Sequence, residues 1–107
     1  MAVTITASVG LNGTNRPADV MAIQKALNDI QPSAGGASPK LVPDGQSGPK
    51  TRGAILHFQQ VHLGLTQDSK VDPGGSTLRE INAILDPSVM AADPKVLALT
   101  DMVVSNL

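Results

Sequence analysis

The chain has 107 residues, no cysteine, a single aromatic residue (Phe58) and a formal net charge of −1. That length suits one domain with one modest apolar core, and the missing thiols exclude disulfide bridges and thiolate metal sites. The basic residues, among them Arg16, Lys25, Lys40, Lys50, Arg52 and Arg79, are scattered, so the sequence offers neither the clustered cations nor the stacking aromatics of a nucleic-acid binder.

The N-terminal residues Met1-Ala2-Val3-Thr4-Ile5-Thr6 lack a basic start and an uninterrupted apolar run, so they do not read as a signal peptide. No stretch approaches the roughly 20 apolar residues that cross a bilayer. Work outside the cytoplasm would therefore need another export route or a longer parent chain. Val3-Thr4-Ile5-Thr6 alternates weakly and reads as a short edge strand or an ordered arm.

The first predicted helix spans 17–30, with Asn15 as its cap and Pro17 in the first turn, where a missing N–H costs nothing. Val20, Ile23, Leu27 and Ile30 recur at helical spacing, and Pro32 with Gly35-Gly36 ends the run. A second helix is predicted over 49–63, starting after Gly48 and stopping near Gly64 in a left-handed conformation. Its apolar face carries Thr51, Ala54, Ile55, Phe58 and either Val61 or His62. The third, over 76–85, presents Leu78, Ile81 and Leu85, and Thr77 with Glu80 stands at capping-box spacing. Asp86-Pro87 ends it. Asp93-Pro94 then restarts a helical pattern through Val96, Leu99 and Val103. This predicts a short fourth helix whose 96–104 stripe either packs on its own bundle or docks a partner. Met21, Met90 and Met102 read as gap-fillers. The expected division is an arm over 1–14, a helical domain over 15–85 and an extension over 86–107.

Two loops repeat a theme. Residues 42–51 (Val-Pro-Asp-Gly-Gln-Ser-Gly-Pro-Lys-Thr) and 68–77 (Asp-Ser-Lys-Val-Asp-Pro-Gly-Gly-Ser-Thr) each pass from an acidic turn residue through glycine and proline to a threonine opening a helix. Asp44 can accept from backbone N–H groups ahead of it, Gly45 supplies a positive φ, and Thr51 can tie the loop back. Gly48, Asp72 and Thr77 are assigned similar structural roles.

The ordered set of motifs resembles a known family. Asp19-Val20 and Ile23-Gln24-x-x-Leu27-Asn28 come first, then Asp44-Gly45-x-x-Gly48-Pro49-x-Thr51. Ala54-Ile55-x-x-Phe58-Gln59, Gly64-Leu65, Val71-Asp72-Pro73 and Thr77-Leu78 follow. Together, over roughly residues 15–85, they resemble the peptidoglycan-binding domain family, small three-helix modules attached to bacterial and phage cell-wall hydrolases. The resemblance implies an all-α, compact three-helix bundle with two Asp-Gly-type loops. It also implies a non-catalytic, extracytoplasmic role: binding the stem peptide or glycan of peptidoglycan for an attached hydrolase or effector. Ser47 stands where members commonly carry Phe or Tyr, and Ser69 replaces the glycine of the second loop. With no Trp or Tyr in the chain, polar and charge-assisted contacts are expected in place of sugar stacking. A protein-interaction adaptor of the same fold, tied to an exported cell-wall effector, is the alternative.

The residues themselves point away from catalysis. His57 and His62, five apart, lie about 140° apart on a helix and cannot act as an i, i+4 metal pair. No serine sits in a nucleophile elbow, and Asp44 and Asp72 read as turn organisers rather than paired carboxylates. No cofactor or metal is expected. Gln24 and Gln59, each following an apolar helical residue, are read as buried amides that satisfy loop backbone rather than as ligand contacts. The candidate ligand contacts are Arg16, Lys50 and Arg52, which can meet stem-peptide carboxylates, Arg52 bidentately.

Overall fold

The structure, a computed structural model, describes residues 2–86. The predicted fourth helix and its 96–104 stripe lie outside the described residues. Among those residues, three helices are joined by long loops and a minimal sheet. Strand β1 (Val9–Gly10) precedes helix α1 (Pro17–Asp29), and a 3-10 turn at Pro32–Ala34 follows. Helix α2 (Pro49–Val61), strand β2 (Lys70–Val71) and helix α3 (Ser76–Leu85) complete the order. Helix α1 packs against both other helices. The strands pair antiparallel, Val9 opposite Val71 and Gly10 opposite Lys70.

The helical stripes explain the packing. Val20, Ile23 and Leu27 on α1, Ile55 and Phe58 on α2, and Leu78 and Ile81 on α3 bury their side chains in one core with Val9 and Val71 of the sheet. Phe58 is fully enclosed. Of the two candidates for the end of the α2 stripe, His62 turns inward and Val61 outward. The His62 ring lies 4.3 Å from that of Phe58 between centroids. One His62 ring nitrogen, Nε2, sits 2.7 Å from the Ala34 carbonyl, which pins the 3-10 turn against the end of α2.

Two local expectations are corrected. Asn15 does not cap α1. Arg16 holds the cap position without a side-chain bond, while Asn15 takes φ +57°. Its side chain is spent on the turn before the helix: Oδ1 accepts from Gly10 N–H at 2.7 Å, and Nδ2 donates to the Gly10 and Gly13 carbonyls. A short polar side chain tolerates the left-handed region when it can bond locally, and here that outweighs capping. Thr77 and Glu80 do not form a capping box either, because Gly75 caps α3 and makes no side-chain bond. Thr77 is drawn to Gln59 and Glu80 to His62, whose Nδ1 is 3.4 Å away. Of the two readings of residues 3–6, the ordered arm holds, and the strand lies further on at β1.

That arm is bolted down by two carboxamide or carboxylate clamps. Asn82 of α3 accepts from Val3 N–H at 2.6 Å and donates to the Val3 carbonyl at 3.0 Å. Asp19, in the first turn of α1, accepts from the Thr6 N–H at 3.0 Å, the Thr6 hydroxyl at 2.7 Å and the Ala7 N–H at 3.1 Å. With the arm so held, Ile5 and Val9 enter the core.

Removing Phe58 tests the core directly. Phe58→Ala should cost about 3–5 kcal/mol, as for other large aromatics deleted from a packed interior, read as a fall in the chemical-denaturation midpoint. An unchanged midpoint would remove Phe58 from the core. The arm makes a second prediction. Bonds from the Thr6 N–H and hydroxyl, working against burial and joined by the Ala7 N–H and the Arg16 charge, hold the Asp19 carboxyl below the ordinary aspartate value of 3.8. A carboxylate favoured in the folded state stabilises the fold above its unfolded pKa, and that contribution drains away as pH falls through the lower, folded value. Stability should therefore drop below about pH 4, and Asp19→Asn should make this acid decline shallower. Parallel acid limbs for the two proteins in urea titrations would disprove the Asp19 linkage.

Candidate functional site

Two buried glutamines hold the two loops in the same way. On α1, the Gln24 carbonyl accepts from Gly45 N–H at 3.0 Å. Its NH2 faces Asp44 Oδ1 at 3.0 Å, the Gln46 carbonyl at 3.1 Å and Thr51 Oγ1 at 3.0 Å. On α2, the Gln59 carbonyl accepts from the N–H groups of Asp68 and Ser69. Its NH2 faces Asp68 Oδ1 at 2.9 Å, the Lys70 carbonyl at 3.0 Å and Thr77 Oγ1 at 3.2 Å. In each loop the aspartate also accepts from the N–H two residues on, Gln46 or Lys70. An amide has one carbonyl and two N–H donors, so each glutamine has both its donors and its carbonyl engaged inside its loop.

The backbone obeys the same plan. Gly45 has φ +78°, and a Cβ there would sit 3.0 Å from the Pro17 carbonyl oxygen. Its counterpart, Ser69, adopts φ +58° with a side chain attached. The second aspartate of the pattern is Asp68, not Asp72. Asp72 instead accepts from the Ser8 hydroxyl at 2.6 Å and stands 3.6 Å from Lys70 Nζ. Asp68 opens the second loop in the sequence as well, but its link to Gln59 was not legible, since Gln24 and Asp44 are 20 residues apart and Gln59 and Asp68 only 9.

The first clasp builds one wall of a cleft. Residues 37–46 cross in front of the first half of α2 and leave an open cleft of about 730 Å³. Asn28 of α1 anchors that crossing: Leu41 N–H donates to its Oδ1 at 2.7 Å, and its Nδ2 donates to the Leu41 carbonyl at 2.8 Å. Aliphatic groups of Ala37, Pro39, Leu41, Val42, Pro49 and Ala54 line the cleft, together with Lys40, Lys50 and His57. Lys40 and Lys50 are exposed, and neither is in an ion pair among the described residues. The positive end of the α2 dipole opens on the same side, at Gly48 and Pro49. Asp44 also borders the cleft, but bonds from the Gln46 N–H and the Gln24 amide, against some desolvation, hold its carboxyl below the usual range. Its charge is committed to the clasp.

The three candidate ligand contacts separate. Lys50 lines the cleft. Arg52 folds back, its Nη1 donating to the Ser47 carbonyl at 3.4 Å, and Arg16 reaches the Thr6 hydroxyl of the arm at 3.3 Å. Neither arginine lines the cleft. Lys40 and His57 join Lys50 there; the sequence weighed His57 only as a metal ligand, and nothing local marks Lys40, in a proline-bounded loop, as facing a helix. Ser47 lies outside the lining, and its enclosed hydroxyl has no hydrogen-bond partner among the described residues.

The model of the peptidoglycan binding domain family matches residues 16–74, more than half of the chain. The chain belongs to the peptidoglycan binding domain family. Curated proteins and solved structures gave no match. The family match takes in both walls of the cleft and the whole first clasp. The N-terminal arm and α3, with Thr77 of the second clasp, lie beyond it.

The clasp makes a paired prediction. Asp44→Asn keeps an Oδ1 acceptor for the Gln24 amide and the Gln46 N–H, so it should fold with little loss. Gly45→Val forces a branched side chain into a left-handed backbone, at about 1–2 kcal/mol for conformation alone, and adds the contact with Pro17. Thermal melts of the two variants should differ clearly. Equal melting temperatures would remove the case for Gly45 as a turn requirement.

Proposed function

We propose that this chain is a non-catalytic peptidoglycan-binding module whose ligand surface is the cleft between residues 37–46 and α2, and that it grips the peptide rather than the glycan. The observation that carries this reading is the family match over 16–74, which contains every residue lining the cleft. The choice of peptide follows from the lining. Sugar rings are commonly held by stacking C–H faces on aromatic side chains, and Phe58, the sole aromatic, is enclosed in the core. Small aliphatic groups suit the methyl side chains of alanyl residues. Lys40 and Lys50, together with the positive end of α2, suit free carboxylates. Such a module concentrates an attached or associated activity on the wall, outside the cytoplasm.

Exposed ion pairs contribute only about 0–1 kcal/mol each and are screened by salt, so binding should be weak and salt-sensitive. Purified sacculi should retain the protein at low ionic strength and release it at about 1 M salt, where the screening length is only ~3 Å. The double variant Lys40→Ala, Lys50→Ala should stay folded and lose retention, while Arg52→Ala should keep it. Salt-insensitive retention of the double variant would defeat the charge contacts. A wild-type protein that never sediments with sacculi would defeat wall binding itself and return the fold to a protein-adaptor role.

A further inference from the structure

Helix α2 presents Pro49, Lys50, Gly53, Ala54 and His57 to the cleft, and Gly53 is out of place among them. Glycine is the poorest helix former after proline, because it has the most backbone freedom to lose. Interior helical glycines are usually explained by a close neighbour or an unusual backbone. Gly53 has neither. Its φ lies outside the left-handed region, and a Cβ added there would meet no described atom within 4 Å beyond its chain neighbours and the backbone of its own helix. A positive φ, a tight backbone contact or a helix-cap position accounts for every other glycine among the described residues. The protein thus carries a destabilising residue midway along a helix that its own packing does not require, and it carries it on the wall of the cleft.

We infer that Gly53 is a ligand-contact position, kept bare so that the main chain of a bound peptide lies flat against the α2 backbone. This inference rests on the cell-wall reading of the cleft. A side chain at position 53 would stand into the cleft between Lys50 and His57, one helical turn from each. It would hold a peptide off the aliphatic floor at Ala54 and Leu41 and away from the lysine ammonium groups. Wall peptides are short, and their alanyl residues carry only methyl side chains, so the main chain there can approach a bare helix closely. A ligand that binds through bulky side chains would gain nothing from the missing Cβ.

The experiment compares the wild-type full chain with Gly53→Ala, Gly53→Leu and the control Gln60→Ala. Gln60 is exposed on α2 and lies off the cleft. Each protein is melted, sedimented with purified sacculi and titrated with a soluble disaccharide-tetrapeptide and with the free tetrapeptide. Gly53→Ala should melt higher, by about 4–8 °C for a domain of this size. It should nevertheless bind sacculi and tetrapeptide at least about tenfold more weakly, as a steric block to one ligand class requires. Gly53→Leu should fold and bind least of all, and Gln60→Ala should match the wild type. If the wild type binds and Gly53→Leu binds equally well, Gly53 is idle and the inference falls while the wall-binding reading stands. Binding of the disaccharide-tetrapeptide without the free tetrapeptide would overturn the peptide contact at Gly53. Absence of wild-type binding to sacculi and to both soluble ligands would overturn the inference together with the reading beneath it.

Discussion

Two side-chain amides hold this fold in register. Gln24 and Gln59 are each fully buried, and a buried amide left without partners costs more than a typical hydrogen bond gains. Each therefore demands a loop that closes around it, with one backbone N–H or two for its oxygen and a set of acceptors for its NH2. Three acceptors face two N–H donors in each clasp, so the donors are shared and the loop has little freedom to shift. The amide orientation follows from the same count, because only the carbonyl can face Gly45 or Ser69 N–H. Long loops of glycine and proline would otherwise sample many conformations. Here they are set by helices that the apolar core has already positioned.

The clasps also order the layers of the molecule. Gln24 projects from α1 and fixes the loop that enters α2, and Thr51, the first-turn residue of α2, closes it. Gln59 projects from α2 and fixes the loop that enters α3, where Thr77 closes it. Each helix thus positions the start of the next by the same polar device, while Ile23, Ile55, Phe58 and Ile81 supply the apolar contact beneath. The cleft is a by-product of the first clasp together with Asn28. The second loop enters α3 after fewer residues and is paired at β2 with the strand β1, so its path along the helix is taken up by sheet contacts.

The arm belongs to this core as much as the helices do. Ile5 and Val9 lie within it, and β1 gives β2 its partner strand. Asp19 serves two purposes: it sits favourably in the first turn of α1, near the positive end of the dipole, and it collects the N–H groups of the arm. That double use explains why an acidic residue is buried there without a direct ion pair among the described residues.

The sequence by itself determined whatever depends on near neighbours. Helical spacing of apolar residues marked all three helices, with α3 placed at 76–85 and α2 and α1 overrun only at their ends. The Asp-Gly pair marked Gly45 as a turn residue, and the motif series marked the family. Only the tertiary structure decided the clamps and the cleft. Val3 meets Asn82 across 79 positions and Leu41 meets Asn28 across 13, and no local pattern shows which of several asparagines will face which backbone group. Asn15, Thr77 and Glu80 each had a sound local role as a cap, and each was drawn away by a partner that folding brought near. The same reason separates Lys50 from Arg52. Adjacent in type and almost in sequence, they point to different places because a helix turns about 100° per residue, and which side becomes a cleft depends on where a distant loop is anchored.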